Sequence, residues 1–253
     1  MKRCFVVAHR CGYNEARKKE NSIESLKYCN SKKYIDGIEL DCQLTKDNKI
    51  VVFHDIYIKM NNRLISVNKL TFKELDSWYY IKNNIHLNTL EEMISKMSIS
   101  KVMFVEIKSI FKANNKLIKM INDVIKKYKY KKTKIMCFQS DVLCNYYKIN
   151  KKEELVLLVS KTSFLYNAKL KYHMYFDKKI KTVAIHKNMV KYSRCKKLLK
   201  NHFLAIYTIK NEREIDKIIN SLGDILNYYK EKIIIITTIP EIVDRRVNRR
   251  LEK

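Results

Sequence analysis

Seven side chains able to hold a cation, grip a phosphate or move a proton sit at the ends of short apolar runs. His9 and Arg10 follow "CFVVA" (4–8), Glu39 and Asp41 lie in "DGIELDC" (36–42), His54 follows "IVVF" (50–53), and Glu106 and Lys108 end "KVMFVEIK" (101–108). Side chains alternate across a strand, so Glu39 and Asp41 share one side while Ile38 and Leu40 share the other. If the apolar pair packs outward, two like charges face an interior and raise each other's pKa unless a cation lies between them. Hard carboxylate oxygens suit Mg²⁺ or Ca²⁺. Arg10 and Lys108 would then bind a phosphate, and the histidines would move protons on either side of it. No Ser or Cys nucleophile with a local base is apparent. Taken singly, a histidine after a strand is more often structural and a strand-end glutamate more often a surface residue. The coincidence of all seven at strand ends favours a site.

The elements that must position them read as strands at 4–8, 36–42, 50–53, 101–106, 134–138, 155–159, 181–185, 203–208 and 232–237. Helical patterns fill most of the gaps, at 21–30, 89–97, 111–128, 140–148, 188–200 and 211–221, with Leu117, Ile118, Ile121, Val124 and Ile125 at helical spacing. Asn21 with Glu24 three residues on reads as an N-cap with an acidic N3 residue. Strand–helix alternation over this length predicts an α/β fold, a TIM (β/α)8 barrel in a single domain spanning 1–253. A doubly wound sheet would need a Gly-rich turn after the first strand, which "AHRCGYN" does not supply. The short "QLTKDNK" link between the second and third strands predicts a hairpin, with Asp47 and Asn48 in its turn. Strand ends at the carboxyl side of a barrel are where such enzymes place their chemistry.

A chain of 253 residues buries enough core to fold without disulfides or a structural metal. It holds only three Gly and one Pro, against an average usage of roughly 7% and 5%. Residues that resist so broad a bias are informative. The net charge of +27 raises a nucleic-acid reading, but the lysines are spread along the chain without a recognisable module, so no specific nucleic-acid partner is expected. "DRRVNRRLEK" (244–253) concentrates arginine; it reads as a solvated helix end, with weak attraction to an anionic membrane surface as the lesser alternative. Seven scattered cysteines without a C-x-x-C pair read as reduced thiols, and Cys4, Cys42 and Cys137 as core fillers. The first residues read as too short an apolar run for a signal peptide and nothing reaches the length of a membrane span, so a cytoplasmic location is expected. His86, His173, His186 and His202 belong to no motif and are expected to be structural or surface residues.

"VVAHRCGYNEARKKENSIESL" resembles the opening of the glycerophosphodiester phosphodiesterase family, and "DGIELDCQLTKDNKIVVFHD" is similar almost residue for residue to that family's second block. "LTFKEL" (70–75), "LNTLEEMI" (87–94) and "VEIK" (105–108) follow in the family's order, and "IYTIKN" and "ITTIP" stand where it tends to have Trp-Thr-Val-Asn and Thr-Asp-x-Pro. The resemblance is strong over residues 4–108 and weaker beyond. It implies a TIM barrel that hydrolyses glycerophosphodiesters, small-molecule substrates, with one bound divalent cation, Mg²⁺ or Ca²⁺. By position, Glu39, Asp41 and Glu106 would be metal ligands and His9 and His54 the acid/base pair. Arg10 would contact the phosphate, Glu20 would support the site, and Lys108 would bind phosphate or a neighbouring carboxylate. The chain departs from the pattern at Cys11 (Gly in the family, with Gly12 one place later), Asn48 (a turn Gly), Tyr207 (Trp) and Thr238 (Asp). Alternatives are the same chemistry on a lysophospholipid or a surface-polysaccharide phosphodiester, or a non-catalytic basic barrel that binds RNA or an anionic surface. Oligomeric state and the division of labour between the histidines have no sequence signature.

Overall fold

The computed structural model describes residues 3–108, 115–166, 171–174 and 177–248. Its strands are β1 (Phe5–Ala8), β2 (Gly37–Leu44), β3 (Ile50–Val52), β4 (Tyr57–Met60), β5 (Arg63–Ser66), β6 (Val102–Ile107), β7 (Thr133–Cys137), β8 (Glu154–Val159), β9 (Ile180–His186), β10 (Phe203–Ile209) and β11 (Ile233–Thr237). Eight of them close a parallel barrel in the order β1, β2, β6, β7, β8, β9, β10, β11, with β11 returning to β1. β3 extends it by pairing antiparallel with β2, the expected hairpin. Asn48 turns that hairpin at φ 62°, and Asp47 accepts from Thr45 Oγ1 at 2.7 Å and from the Phe72 amide at 2.9 Å. Each of the nine expected strands forms within two residues of its expected ends.

Alternation sorts the side chains into three apolar layers. Val7, Phe104, Met136, Val156, Leu158, Ala184, Ala205, Ile234 and Ile236 fill the barrel interior. Ile38, Leu40, Val105 and their counterparts face the surrounding helices in a second, larger core. Val51, Phe53, Ile58, Leu75 and Tyr79 form a third beneath the excursion between β3 and β6. Two of the three glycines are needed where they stand. A Cβ on Gly37 would lie 2.9 Å from the Val102 carbonyl oxygen and 3.0 Å from Phe104, so β2 can enter between β1 and β6 only without one. Gly12, at φ +60°, closes the turn after β1.

The expected helices appear as Ile23–Ser31, Leu90–Lys96, Asn115–Lys127, Ser140–Ile149, Tyr192–Leu199 and Glu212–Leu222; the expected start at 111–114 lies outside the described residues. Helix Ile23–Ser31 is capped by Ser22, whose hydroxyl accepts from the Ser25 amide, and not by Asn21. Asn21 is left-handed, at φ 53°, and its amide turns into the barrel mouth. The hairpin β4–β5 and helix Phe72–Asn83 were not anticipated. The hairpin turns through Asn61 and Asn62, both at positive φ, the geometry of a two-residue type I′ turn. Thr71 and Glu74 form a capping box on the helix. Of the described C-terminal arginines, Arg245 is exposed as expected, whereas Arg246 is less solvated and pairs with Glu212 and, at 3.2 Å, with Asp216. Residues 249–253 of that stretch lie outside the description. No helix among the described residues is long and apolar enough to cross a membrane.

Candidate active site

The register of the barrel explains how the acids converge. β2 and β6 run parallel with Asp41 opposite Glu106, and β1 pairs Ala8 with Ile38, which sets His9 beside Glu39. On the inward side of β2, Glu39 and Asp41 are 2% and 1% exposed, and Glu106 is nearly as buried. One carboxylate oxygen from each lies within 4.8 Å of the others. The hairpin brings His54 to the same mouth. The Phe53 amide donates to the Asp41 carbonyl at 2.9 Å, and Gln43 Nε2 donates to the Phe53 and Asp55 carbonyls at 2.7 and 2.9 Å, which fixes the His54 loop.

Two cations neutralise part of this charge. Lys108 Nζ sits 2.9 Å from Asp41 Oδ1 and 2.7 Å from Glu106 Oε1. Arg10 Nε lies 3.3 Å from Asp41 Oδ2, and its Nη1 donates to Glu20 Oε2 at 2.7 Å, so Glu20 braces the guanidinium. Asn21 Nδ2 adds a donor to Asp41 Oδ2 at 3.3 Å. Burial pushes the Asp41 carboxyl up, but Lys108, His54 and Arg10 outweigh it and hold the carboxyl below its usual value. Glu39 has no such partner. It accepts the Arg10 backbone N–H at 3.0 Å on Oε2, near His9 Nε2 at 3.9 Å, and its buried Oε1 has no hydrogen bond. Burial, then repulsion from Asp41 and Glu106, drives its pKa well above the carboxylate range. Glu106 is raised by burial despite Lys108.

A buried carboxylate with an orphaned oxygen beside two others is an all-oxygen donor set short of positive charge. These three residues therefore fit a hard divalent cation.

The two histidines differ in setting. His9 is half-buried with its Nδ1 enclosed and without a hydrogen-bond partner, and desolvation followed by the Arg10 charge lowers its pKa to about 3, which favours the neutral ring. His54 is more open, and its Nδ1 is 2.8 Å from Asp55 Oδ1. A carboxylate at that nitrogen holds the Nδ1–H tautomer and leaves Nε2 for other work. The turn carrying Arg10 runs left-handed through Arg10, Cys11 and Gly12, at φ 47°, 64° and 60°. Cys11 therefore adopts a left-handed geometry that favours glycine, at about 1–2 kcal/mol per non-glycine residue. Its thiol is buried and its carbonyl accepts from Cys29 Sγ.

A cavity of about 160 Å³ opens above the acids, lined by His9, Arg10, Glu39, His54, Glu106 and Lys108 on one side. Met136, Phe138, Leu158, Tyr207, Thr208, Lys210 and Ile236 line the other. Of the residues singled out in the sequence, Asp41 lies beneath the cavity wall and Glu20 behind Arg10. Tyr207 packs edge-on against Phe138 and His186, with ring centroids 6.1 and 5.6 Å apart, and its buried hydroxyl has no partner. Thr238 is fully buried and accepts from Asn14 Nδ2 at 3.2 Å. Sequence reasoning missed Gln43, Phe138 and Lys210, set His186 aside, and took Asn21 for a cap. Phe138 and Lys210 sit just past strand ends, which was the one available signal.

The chain matches the model of the glycerophosphoryl diester phosphodiesterase family over residues 9–224. It is 28% identical over 148 residues to an uncharacterized protein of Mycoplasma genitalium, 56% of this chain and 61% of that one, so it spans less than two thirds of that relative. Among solved structures, it is similar to an Oleispira antarctica phosphodiesterase in complex with the product sn-glycerol-3-phosphate, with a TM-score of 0.77, 19% identity and 97% of each chain covered. It is also similar to a glycerophosphodiester phosphodiesterase of Thermotoga maritima, with a TM-score of 0.73, 21% identity, and 96% of this chain and 98% of that one covered. These likenesses show the fold. With the family model spanning both histidines and all three carboxylates, the chain belongs to the glycerophosphoryl diester phosphodiesterase family, a family of phosphoric diester hydrolases.

Proposed function

We propose that the protein hydrolyses a glycerophosphodiester to glycerol phosphate and an alcohol at the barrel mouth, with Glu39, Asp41 and Glu106 holding one Mg²⁺ or Ca²⁺. The observation that carries this reading is the convergence of two histidines, Glu39, Glu106, Arg10 and Lys108 on one small cavity, with the Asp41 carboxylate directly beside the other two. A bound divalent cation would supply positive charge to the non-bridging phosphate oxygens as they gain charge in the transition state. Arg10, held by Glu20, contributes from the β1 side, and Lys108 from β6. One histidine accepts the proton of the nucleophile, either water or a neighbouring substrate hydroxyl. As the P–O bond to the departing alcohol breaks, the other donates a proton to its oxygen, without which an alkoxide is a very poor leaving group. Asp55 orients the His54 ring for this work, and Gln43 fixes its loop. Phe138, Tyr207 and Lys210 face the departing alcohol. The seven cysteines form no disulfide, which suits a reducing compartment, and we place the enzyme in the cytoplasm.

Release of glycerol phosphate from glycerophosphoglycerol, glycerophosphocholine and lysophospholipids, with and without added Mg²⁺ or Ca²⁺, tests the reading. Metal-dependent release from at least one glycerophosphodiester, lost on chelation and regained on re-addition, is expected. No release from any substrate with either metal would overturn it, and salt-dependent RNA binding in its place would favour a binding barrel.

A further inference from the structure

Away from the mouth, Cys144, His173 and Asp177 each offer a ligand atom within 4.8 Å of the other two. Cys144 lies on helix Ser140–Ile149, and His173 and Asp177 on the segment leading into β9. We propose that these three residues form a zinc site that staples the segment before β9 to the helix after β7.

Four observations support it. The donor set is one thiol, one imidazole and one carboxylate, the mixture that selects Zn²⁺ over Mg²⁺ or Ca²⁺. His173 and Asp177 are both 8% exposed, and His173 Nδ1 is 2.8 Å from Asp177 Oδ2. Two tetrahedral zinc ligands at about 2.0–2.1 Å stand roughly 3.3 Å apart, so a few tenths of an ångström admit the ion. The second carboxylate oxygen of Asp177 is held by the Lys179 amide at 2.9 Å, which fixes its orientation. Finally, Cys144 is the only one of the seven cysteines that is not fully buried. Burial raises the thiols of Cys4, Cys29 and Cys137 to about 12, leaving those poor thiolate ligands.

Binding would release the thiol proton to solvent. Thiolate and carboxylate together then balance the charge of Zn²⁺. The staple has a reason to be there. Tyr147, one turn beyond Cys144 on the same helix, takes the Lys179 ammonium over its ring at 5.8 Å. The ion would join the same two elements covalently in effect, beside the fully buried Met174. A fourth position is left for water.

Cobalt separates this site from the all-oxygen mouth, because only a thiolate ligand gives a sulfur-to-cobalt charge-transfer band. Reduced wild-type protein titrated with Co²⁺ should develop that band, saturating at one equivalent and bleaching on addition of Zn²⁺. Cys144→Ser should abolish it, and His173→Ala should weaken zinc binding at least about 100-fold, more than the 10–100-fold carried by outer-shell partners. Glu39→Gln should leave the band in place, so failure here is distinct from failure at the mouth. Phosphodiesterase turnover should be unchanged in Cys144→Ser. A wild-type protein without the band at millimolar Co²⁺, or a Cys144→Ser variant that keeps it, overturns the site and leaves His173–Asp177 as a hydrogen-bonded pair. If Cys144→Ser misfolds by circular dichroism, His173→Ala decides alone.

Discussion

Strands β1, β2 and β6, with the loop after β3, bring His9, Arg10, Glu39, Asp41, His54, Glu106 and Lys108 to the mouth, whereas β7, β8, β10 and β11 bring Met136, Phe138, Leu158, Tyr207 and Ile236 to it. The first group is dominated by buried charge held in mutual contacts of 2.7 to 3.3 Å. The second is apolar and aromatic, with Lys210 as its cation. The division follows from what each half must do. Buried carboxylates are tolerable only with cations beside them, so the chemistry must be concentrated on adjacent strands. The remaining strands are free to shape an apolar wall, which on the proposed reading receives the alcohol.

Substitutions on the charged half should therefore cost turnover, and those on the apolar half should cost recognition. The largest effect is expected for His9→Ala and His54→Ala, each lowering kcat by about 10²-fold or more, the usual scale for a positioned acid or base. Near-normal turnover in both would remove the histidines from the reaction and with them the distinction between the halves. Next, Glu39→Gln keeps the shape but removes the charge of the carboxylate whose Oε1 has no partner. Its half-saturating Mg²⁺ or Ca²⁺ concentration should rise at least about 10-fold; an unchanged metal titration would exclude Glu39 as a ligand. On the other wall, Phe138→Ala should raise KM by about 10-fold, on the scale of 1–3 kcal/mol for apolar pocket contacts, while kcat stays within a few-fold. A fall in kcat with KM unchanged would mean that this wall, too, acts on the transition state.

The smallest effect concerns the outer rim, where Lys187 Nζ meets Glu214 Oε1 at 2.5 Å. Burial raises the Glu214 carboxyl, but the hydrogen bond from Lys187 and the Lys210 amide bring it below its usual value near 4.5. A depressed folded pKa contributes stability above the unfolded value, and that contribution is lost as pH falls through the folded one. Lys187→Ala should accordingly cost under about 1 kcal/mol at pH 7, and the difference should shrink and vanish as pH falls through the lowered Glu214 value. A difference persisting in acid would show that Lys187 acts otherwise than through Glu214.

How much of this was legible depended on how local the signal was. The barrel strands could be read because each is a short apolar run, and Glu39 and Asp41 because polar residues interrupt one of those runs at spacing two. Gly37 resisted a composition poor in glycine because a Cβ would strike Val102 and Phe104. The cap at helix Ile23–Ser31 was misread because Asn21 and Ser22 are both good cap residues, and only the tertiary pull of Asp41 on the Asn21 amide separates them. The hairpin β4–β5 was missed although Asn61–Asn62 is a turn signal, since its strands are four residues each and only one of those residues, Ile58, is buried. Gln43 could not be read at all: its role lies in two carbonyls of the His54 loop, a contact made only when β2 and β3 pair. Phe138, Lys210 and His186 come from separate strand ends, and only closure of the barrel gathers them.

The proposed chemistry at the mouth depends on Glu39, Asp41 and Glu106 sharing one cation. Anomalous diffraction from crystals soaked in Mn²⁺ tests it most directly. A single peak is expected within about 2.0–2.6 Å of an oxygen from each of the three carboxylates. Mn²⁺ bound only elsewhere at saturating concentration, with Lys108 Nζ alone bridging Asp41 and Glu106, would contradict it.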